Sequence, residues 1–386
     1  MQKWVRSQLA SMELAGVLRD PADSQIRQEL ERSSAAAGGR PMLDAASNDY
    51  LGLGSRAVSR ETLQGLEGIR LGAGASRLVQ GTFPEHGDLE EALARWTGME
   101  ASLLTSSAFA ANIGAIPAIA GADALVISDA LNHASIVDGC RLARAKVVVT
   151  PHLELAAVER ALQDRVGAGQ AWVVTEALFS MDGDRPDLVG LRALCDRYGA
   201  GLVVDEAHSL GVYGAQGGGA ALESSIRPDL LIGGLGKAVG GQGGFCAVSE
   251  DLRSLLWNRA RSFVFSTAPS PLLCRLLLTQ VRQTQAADAA RARLALRSSE
   301  LREELFARDL PVLLGCQGPI LPVLLGSNER ALRVSRQLCA QGILAQAIRP
   351  PSVPEGGARL RLTAHADWPD GAPARIARAL EQACGS

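Results

Sequence analysis

Lysine is nearly missing from this 386-residue chain: of 39 Lys plus Arg, only Lys3, Lys146 and Lys237 are lysines. Where positive charge alone suffices, the sequence uses arginine. A lysine kept among glycines therefore invites a role that arginine cannot fill, that of an amine able to lose its proton and attack a carbonyl. Excess basic charge is also missing. The formal net charge is −2, which argues against nucleic acid or an anionic membrane as partner. The most apolar stretch, residues 110–127, is broken by Pro117 and Asp123, whereas a membrane-spanning helix wants about 20 apolar residues. The first twenty residues lack the continuous apolar core of a signal peptide. The seven cysteines are an odd set without a CxxC pair or metal-ligand spacing. They read as free thiols in a reducing cytoplasm, with no metal expected. Internal repeats and low-complexity tracts are absent.

What is present describes an ordinary globular protein. The chain is 47% hydrophobic and 21% charged, enough for a large core, and its length suits two or three domains of roughly 100–200 residues. Residues 1–45 are expected to form an N-terminal helical segment, with a break at 35–40. From about residue 100 to 250, seven short apolar runs (ASLLTS, ALVISD, AKVVVT, AWVVTEA, GLVVDEA, DLLIGG, GGFCAVS) alternate with helical stretches. Several are apolar at nearly every position, as strands covered on both faces must be. This predicts a large α/β domain over 46–285 with a mostly parallel seven-stranded sheet. One long helix is expected at about 272–308, and a smaller α+β domain over 286–386.

In open α/β sheets, ligands bind beyond the carboxyl ends of the strands, and polar residues do follow the apolar runs. Lys237 lies in the glycine-rich run GGLGKAVGGQGG, where backbone can approach a ligand closely. The run is no phosphate-binding GxxxxGK[ST] loop, because Ala238 follows the lysine. Asp205 and His208 follow GLVV. A carboxylate there can keep a pyridinium nitrogen protonated, or it can cap a helix. Glu176 follows AWVVT. His133 can stack on a flat ring or be purely structural. Ser106 and Ser107 precede a helix start at Ala108 and Phe109 whose backbone N–H groups can bind phosphate, or they are a plain cap. Arg359 and Arg361 alternate in RLRL, to clamp a carboxylate or to face solvent. No GxGxxG opens a helix after the first strand, which excludes a dinucleotide-binding reading.

Taken in order, SNDYLGLG (47–54), GAGASRLVQGTFPEHGDLE (72–90), SSAFAAN (106–112), NHAS (132–135), TEALFSMDGD (175–184), VDEAHSLG (204–211), GGLGKAVGGQGG (233–244) and RSFVFST (261–267) resemble the α-oxoamine synthases. These are fold-type I enzymes dependent on pyridoxal 5'-phosphate (PLP). The resemblance implies that Lys237 carries PLP as a Schiff base and acts as the acid/base. It implies that Asp205 pairs with the ring nitrogen, that His208 and Ser180 contact the ring oxygen, and that His133 stacks on the ring. Backbone at Ala108 and Phe109 would hold the phosphate, and Asn48 and Arg361 the amino-acid carboxylate, with Arg349 a further candidate. The run AIRPPSVP (347–354) is most like the member that condenses L-alanine with an acyl thioester, on acyl carrier protein or coenzyme A. Members using glycine or serine, and a non-catalytic scaffold of the same fold, remain the rivals. A cytoplasmic homodimer is implied. The chain departs from the family at Gly234, where Thr or Ser is usual, and at Ala108, where Gly is usual.

Overall fold

The computed structural model describes residues 1–18, 42–165 and 169–385. The strands, in chain order, are β1 (Leu43–Asp44), β2 (Ala101–Thr105), β3 (Leu125–Asp129), β4 (Lys146–Thr150), β5 (Ala171–Glu176), β6 (Gly201–Asp205), β7 (Leu230–Gly234), β8 (Gly244–Val248), β9 (Ile320–Gly326), β10 (Ile343–Leu344), β11 (Gln346–Ile348) and β12 (Ala358–Thr363). The longer helices are α1 (Gln2–Leu14), α2 (Pro84–Thr97), α3 (Ala108–Ile119), α4 (Ala134–Ala143), α5 (Leu155–Gln163), α6 (Leu188–Tyr198), α7 (Glu250–Arg259), α8 (Pro271–Gln285), α9 (Asp288–Phe306), α10 (Asn328–Ala340) and α11 (Ala372–Gly385). No helix among the described residues is long and apolar enough to cross a membrane.

The chain divides into two compact units, one of residues 51–180 and 184–291, the other of residues 1–50, 181–183 and 292–386. The larger unit holds a seven-stranded sheet of order β2-β8-β7-β6-β5-β3-β4, in which only β8 runs against its neighbours. Its central strands are apolar at nearly every position before their carboxyl ends because both faces are covered. Along β6, Val203 faces a cluster with Ala111, Ala115 and Ile116 of α3. Its neighbours Leu202 and Val204 face the opposite cluster, with Leu188, Leu191 and Leu194 of α6. A third cluster joins Leu89, Leu93 and Trp96 of α2 to Leu231 and Phe245.

The single helix expected at 272–308 is two helices, α8 and α9, separated by Ala286 and Ala287. The break is closed by Arg291, whose guanidinium donates to the carbonyls of Thr284 at 2.6 Å and Gln285 at 2.9 Å. It thus satisfies acceptors that a helix end leaves open.

The smaller unit contains an antiparallel sheet, β11-β12-β9, and a parallel pair, β1-β10. That pair aligns Leu43 with Ile343 and Asp44 with Leu344. The N-terminal stretch expected to be helical therefore supplies a strand as well as α1. The helical run at 27–33 and the break at 35–40 lie outside the described residues. Residues 181–183 join this unit through the Gly183 carbonyl, which accepts from Gln317 N, and through Arg359, which donates to Asp182 at 2.7 Å and to the Met181 carbonyl at 3.2 Å.

Candidate active site

Strands β5 and β6 end on paired carboxylates. Parallel register sets Glu176 directly beside Asp205, and both are buried. No helix follows Asp205, which removes the capping alternative. Instead its Oδ1 accepts from Ala207 N at 2.8 Å and its Oδ2 from the Asn112 side-chain amide at 2.7 Å. Glu176 accepts from His133 N at 2.6 Å and from the Ser180 backbone N–H. Burial raises its pKa to about 8, the charge of Asp205 adds to the rise, and the Lys237 ammonium opposes it.

His133 caps α4. Its Nδ1 accepts from Ser135 N at 3.2 Å and lies 2.8 Å from Ser135 Oγ. The surrounding protein lowers its pKa by desolvation; Asp205 opposes this and the Lys237 charge reinforces it. Its ring meets Phe109 edge-on, with centroids 6.3 Å apart. The same lysine charge thus acts on both His133 and Glu176, which brings residues from β5, α4 and the loop after β7 to one place. Lys237 is half-buried, in a loop tied by Gly240 N to the Lys237 carbonyl at 2.8 Å and by Gly241 N to the Leu235 carbonyl at 2.9 Å. His208 and Ser180 are buried.

The α3 N-terminus is built for close approach. Ser107 Oγ accepts from Ala110 N at 3.0 Å. This leaves the first-turn amides of Ala108 and Phe109, which have no intrahelical acceptor, to serve an anion. A Cβ on Gly244 would sit 2.3 Å from Ala108 N, so only glycine lets β8 run this close to the turn. The departures at Gly234 and Ala108 fit one another. A Cβ at 234 would come 3.2 Å from the Ala207 methyl and 3.7 Å from that of Ala108, so a hydroxyl-bearing residue there would crowd Ala207.

In the smaller unit, the two arginines of RLRL are buried rather than solvated. Arg361 donates to Asn48 Oδ1 at 2.8 Å and to Thr363 Oγ1 at 3.4 Å. Arg349, the further carboxylate candidate, is directed at backbone carbonyls of Gly16 and Leu18.

The family described as aminotransferase class I and II matches residues 40–380. The chain belongs to that family. Among curated relatives, 8-amino-7-oxononanoate synthase of Geobacter sulfurreducens is 43% identical over 92% of this chain and 90% of its own. The Acidithiobacillus ferrooxidans enzyme of the same name is 43% identical over 84% of each chain. Among solved structures, Sphingomonas wittichii serine palmitoyltransferase has a TM-score of 0.84 at 29% identity, covering 89% of this chain and 88% of that one. A serine palmitoyltransferase solved with a PLP internal aldimine has 0.83 at 26% identity, covering 95% and 98%. The 8-amino-7-oxononanoate synthase of Francisella tularensis has 0.76 at 25%, covering 88% and 97%. The fold is that of the fold-type I PLP-dependent transferases.

The larger unit's residues fit PLP by their own chemistry. A fixed carboxylate, Asp205, suits a protonated ring nitrogen. Two first-turn amides suit a phosphate, and a half-buried amine among glycines suits an aldehyde. Sequence reasoning missed Asn112 and Ser135 as parts of this site. Both stand at the ends of resemblance motifs, SSAFAAN and NHAS, but neither was given a role there.

Beside this cradle, His152 bridges two aspartates, with Nδ1 2.8 Å from Asp129 and Nε2 2.9 Å from Asp184. Burial alone would lower its pKa. The hydrogen bonds and charges of the two aspartates prevail and raise it to about 10. The folded state therefore holds this proton more tightly than the unfolded chain does. Its stabilisation is full below the ordinary histidine pKa of 6.5 and is lost as pH rises through about 10. Denaturant midpoints should fall across that window. The His152→Ala variant should be less stable by about 3 kcal/mol at neutral pH, with a flatter profile; an unchanged profile would remove His152 as its source.

Proposed function

We propose that this chain is an 8-amino-7-oxononanoate synthase, condensing L-alanine with a pimeloyl thioester, on acyl carrier protein or coenzyme A, to give 8-amino-7-oxononanoate, CO₂ and free thiol in biotin biosynthesis. The observation that carries the chemistry is the convergence of Lys237, Asp205 and His133 at the strand ends, with Asp205 gripped through both oxygens. The relatives that bear this name support the substrate assignment. PLP, when bound, supplies an electron sink for charge developing at the amino-acid α-carbon.

Each residue then has a physical task. Asp205 balances the proton on the ring nitrogen, so that the sink stays electron-poor. His133 covers one ring face, while His208 and Ser180 address the ring oxygen. The Ala108 and Phe109 amides hold the phosphate. Arg361, braced by Asn48, would hold the alanine carboxylate and so fix the orientation of the amino acid for proton removal. Lys237 takes that proton. The α-carbon then bonds to the acyl carbonyl, the C–S bond breaks and the thiol leaves. The carboxylate departs as CO₂, and Lys237 returns the proton. The enzyme works in the cytoplasm as a homodimer, which light scattering of the purified protein tests directly.

A second reading, serine with a long-chain acyl thioester, is favoured by the fold match to serine palmitoyltransferases. The deciding experiment offers alanine, glycine and serine, each with pimeloyl and palmitoyl thioesters, and identifies products by mass. Product from alanine and the pimeloyl thioester alone supports the proposal, and product from serine and the palmitoyl thioester alone replaces it. Arg361→Ala should raise the alanine KM about 10–100-fold, the loss of a charge-assisted bidentate contact, with a smaller effect on kcat. An unchanged KM takes Arg361 out of the substrate site.

A further inference from the structure

Asn112 is fully buried on α3, and no task proposed above uses it. Its amide nitrogen donates to Asp205 Oδ2 at 2.7 Å and to Ser135 Oγ at 3.0 Å, while its Oδ1 is buried without a hydrogen-bond partner. The orientation follows from its neighbours, because turning the amide over would aim Oδ1 at the Asp205 carboxylate. Both N–H bonds are therefore committed, at the cost of an unsatisfied oxygen. The donor sense continues outward. Ser135 Oγ accepts from Asn112, which frees its own O–H to donate to His133 Nδ1 at 2.8 Å, an atom that also accepts from Ser135 N. Two donors converge on Nδ1, so the proton of the neutral ring sits on Nε2.

We propose that Asn112 is a positioning residue that joins Asp205 to His133 through Ser135, holding the carboxylate that meets the PLP ring nitrogen and setting the tautomer of the histidine that covers the ring. The idea rests on the PLP reading above and reaches beyond it, since it gives one buried amide control of both the edge and the face of the ring. Asp205 and Lys237 act on His133 through their charge, and Glu176 accepts from its backbone N–H.

The test uses the full-length protein. In the PLP-free form, ¹⁵N NMR of the histidine rings, with the His133 signal assigned by its loss in His133→Asn, should show Nε2–H and an unprotonated Nδ1 near neutral pH. Ser135→Ala should mix the tautomers, and Ser135→Thr, which keeps the hydroxyl, should restore the single one. Asn112→Ala should mix them too, weaken PLP binding roughly tenfold or more, and shift the pH titration of the visible band of bound PLP. If Asn112→Ala fails to fold, the Ser135 pair still decides. The proposal is overturned if His133 keeps its tautomer in Ser135→Ala, or if Asn112→Ala folds and leaves the band's titration and the PLP affinity unchanged. A wild-type protein that binds no PLP would instead sink the proposed function, while the NMR arm would still judge the network.

Discussion

Lys237→Ala is expected to give a folded protein whose turnover falls by at least about 10⁴-fold, because one substitution removes both the nucleophile and the proton carrier. The loop should survive, since its internal bonds are made by backbone, from Gly240 N to the Lys237 carbonyl and from Gly241 N to the Leu235 carbonyl. Borohydride reduction of the wild type followed by peptide mass spectrometry should find PLP attached at Lys237; the variant should show none. Lys237→Arg sharpens the test. It preserves a positive charge beside Glu176 and His133 but offers no amine that can lose its proton, so it should be as inactive as alanine. Turnover by either variant would end the assignment of Lys237.

Asp205→Asn is expected to lower kcat by about 10³-fold, the scale of losing a buried charge aimed at the reacting group. It keeps the shape of the side chain while removing the negative charge. A merely structural Asp205 would respond differently. Loss of its bonds from Asn112 and Ala207 would lower the unfolding midpoint, yet the pH response of the PLP absorption would not move. Measured together, stability and the visible titration separate the two. Near-wild-type kcat with an unaltered titration would show that Asp205 does not address the ring nitrogen.

The strand runs that announced an α/β sheet are legible because burial on both faces leaves almost no polar position in a strand. Val203 and Val204 face opposite clusters, and the sequence shows both as apolar. The candidate site residues of the larger unit at Glu176, Asp205 and Lys237 are legible for a related reason: they sit where those runs stop or just beyond. Asn112 was not legible in this way. It lies 93 residues from Asp205 and meets it only because the sheet order carries β6 beneath α3. Ser135 stands in the motif NHAS, but a serine in a helix's first turn is expected for capping, so its link to Asn112 and His133 was not legible. The break between α8 and α9 was missed because it contains neither glycine nor proline. It depends on Arg291 reaching back to two carbonyls, a contact without a compositional signature.

By itself the sequence determined the fold class through its local hydrophobic period and pointed to the family through the resemblance of its motifs, and it offered candidate site residues at the strand ends. Tertiary structure alone decided the linkages. It set Glu176 against Asp205, gave Asn112 two charged or polar acceptors, buried the arginines that could have been solvated, and closed the space at Gly234 with the methyls of Ala207 and Ala108. The physical reason is range. Periodicity and strand-end position are properties of neighbours along the chain, whereas hydrogen-bond direction, desolvation and close packing belong to atoms brought together from distant segments.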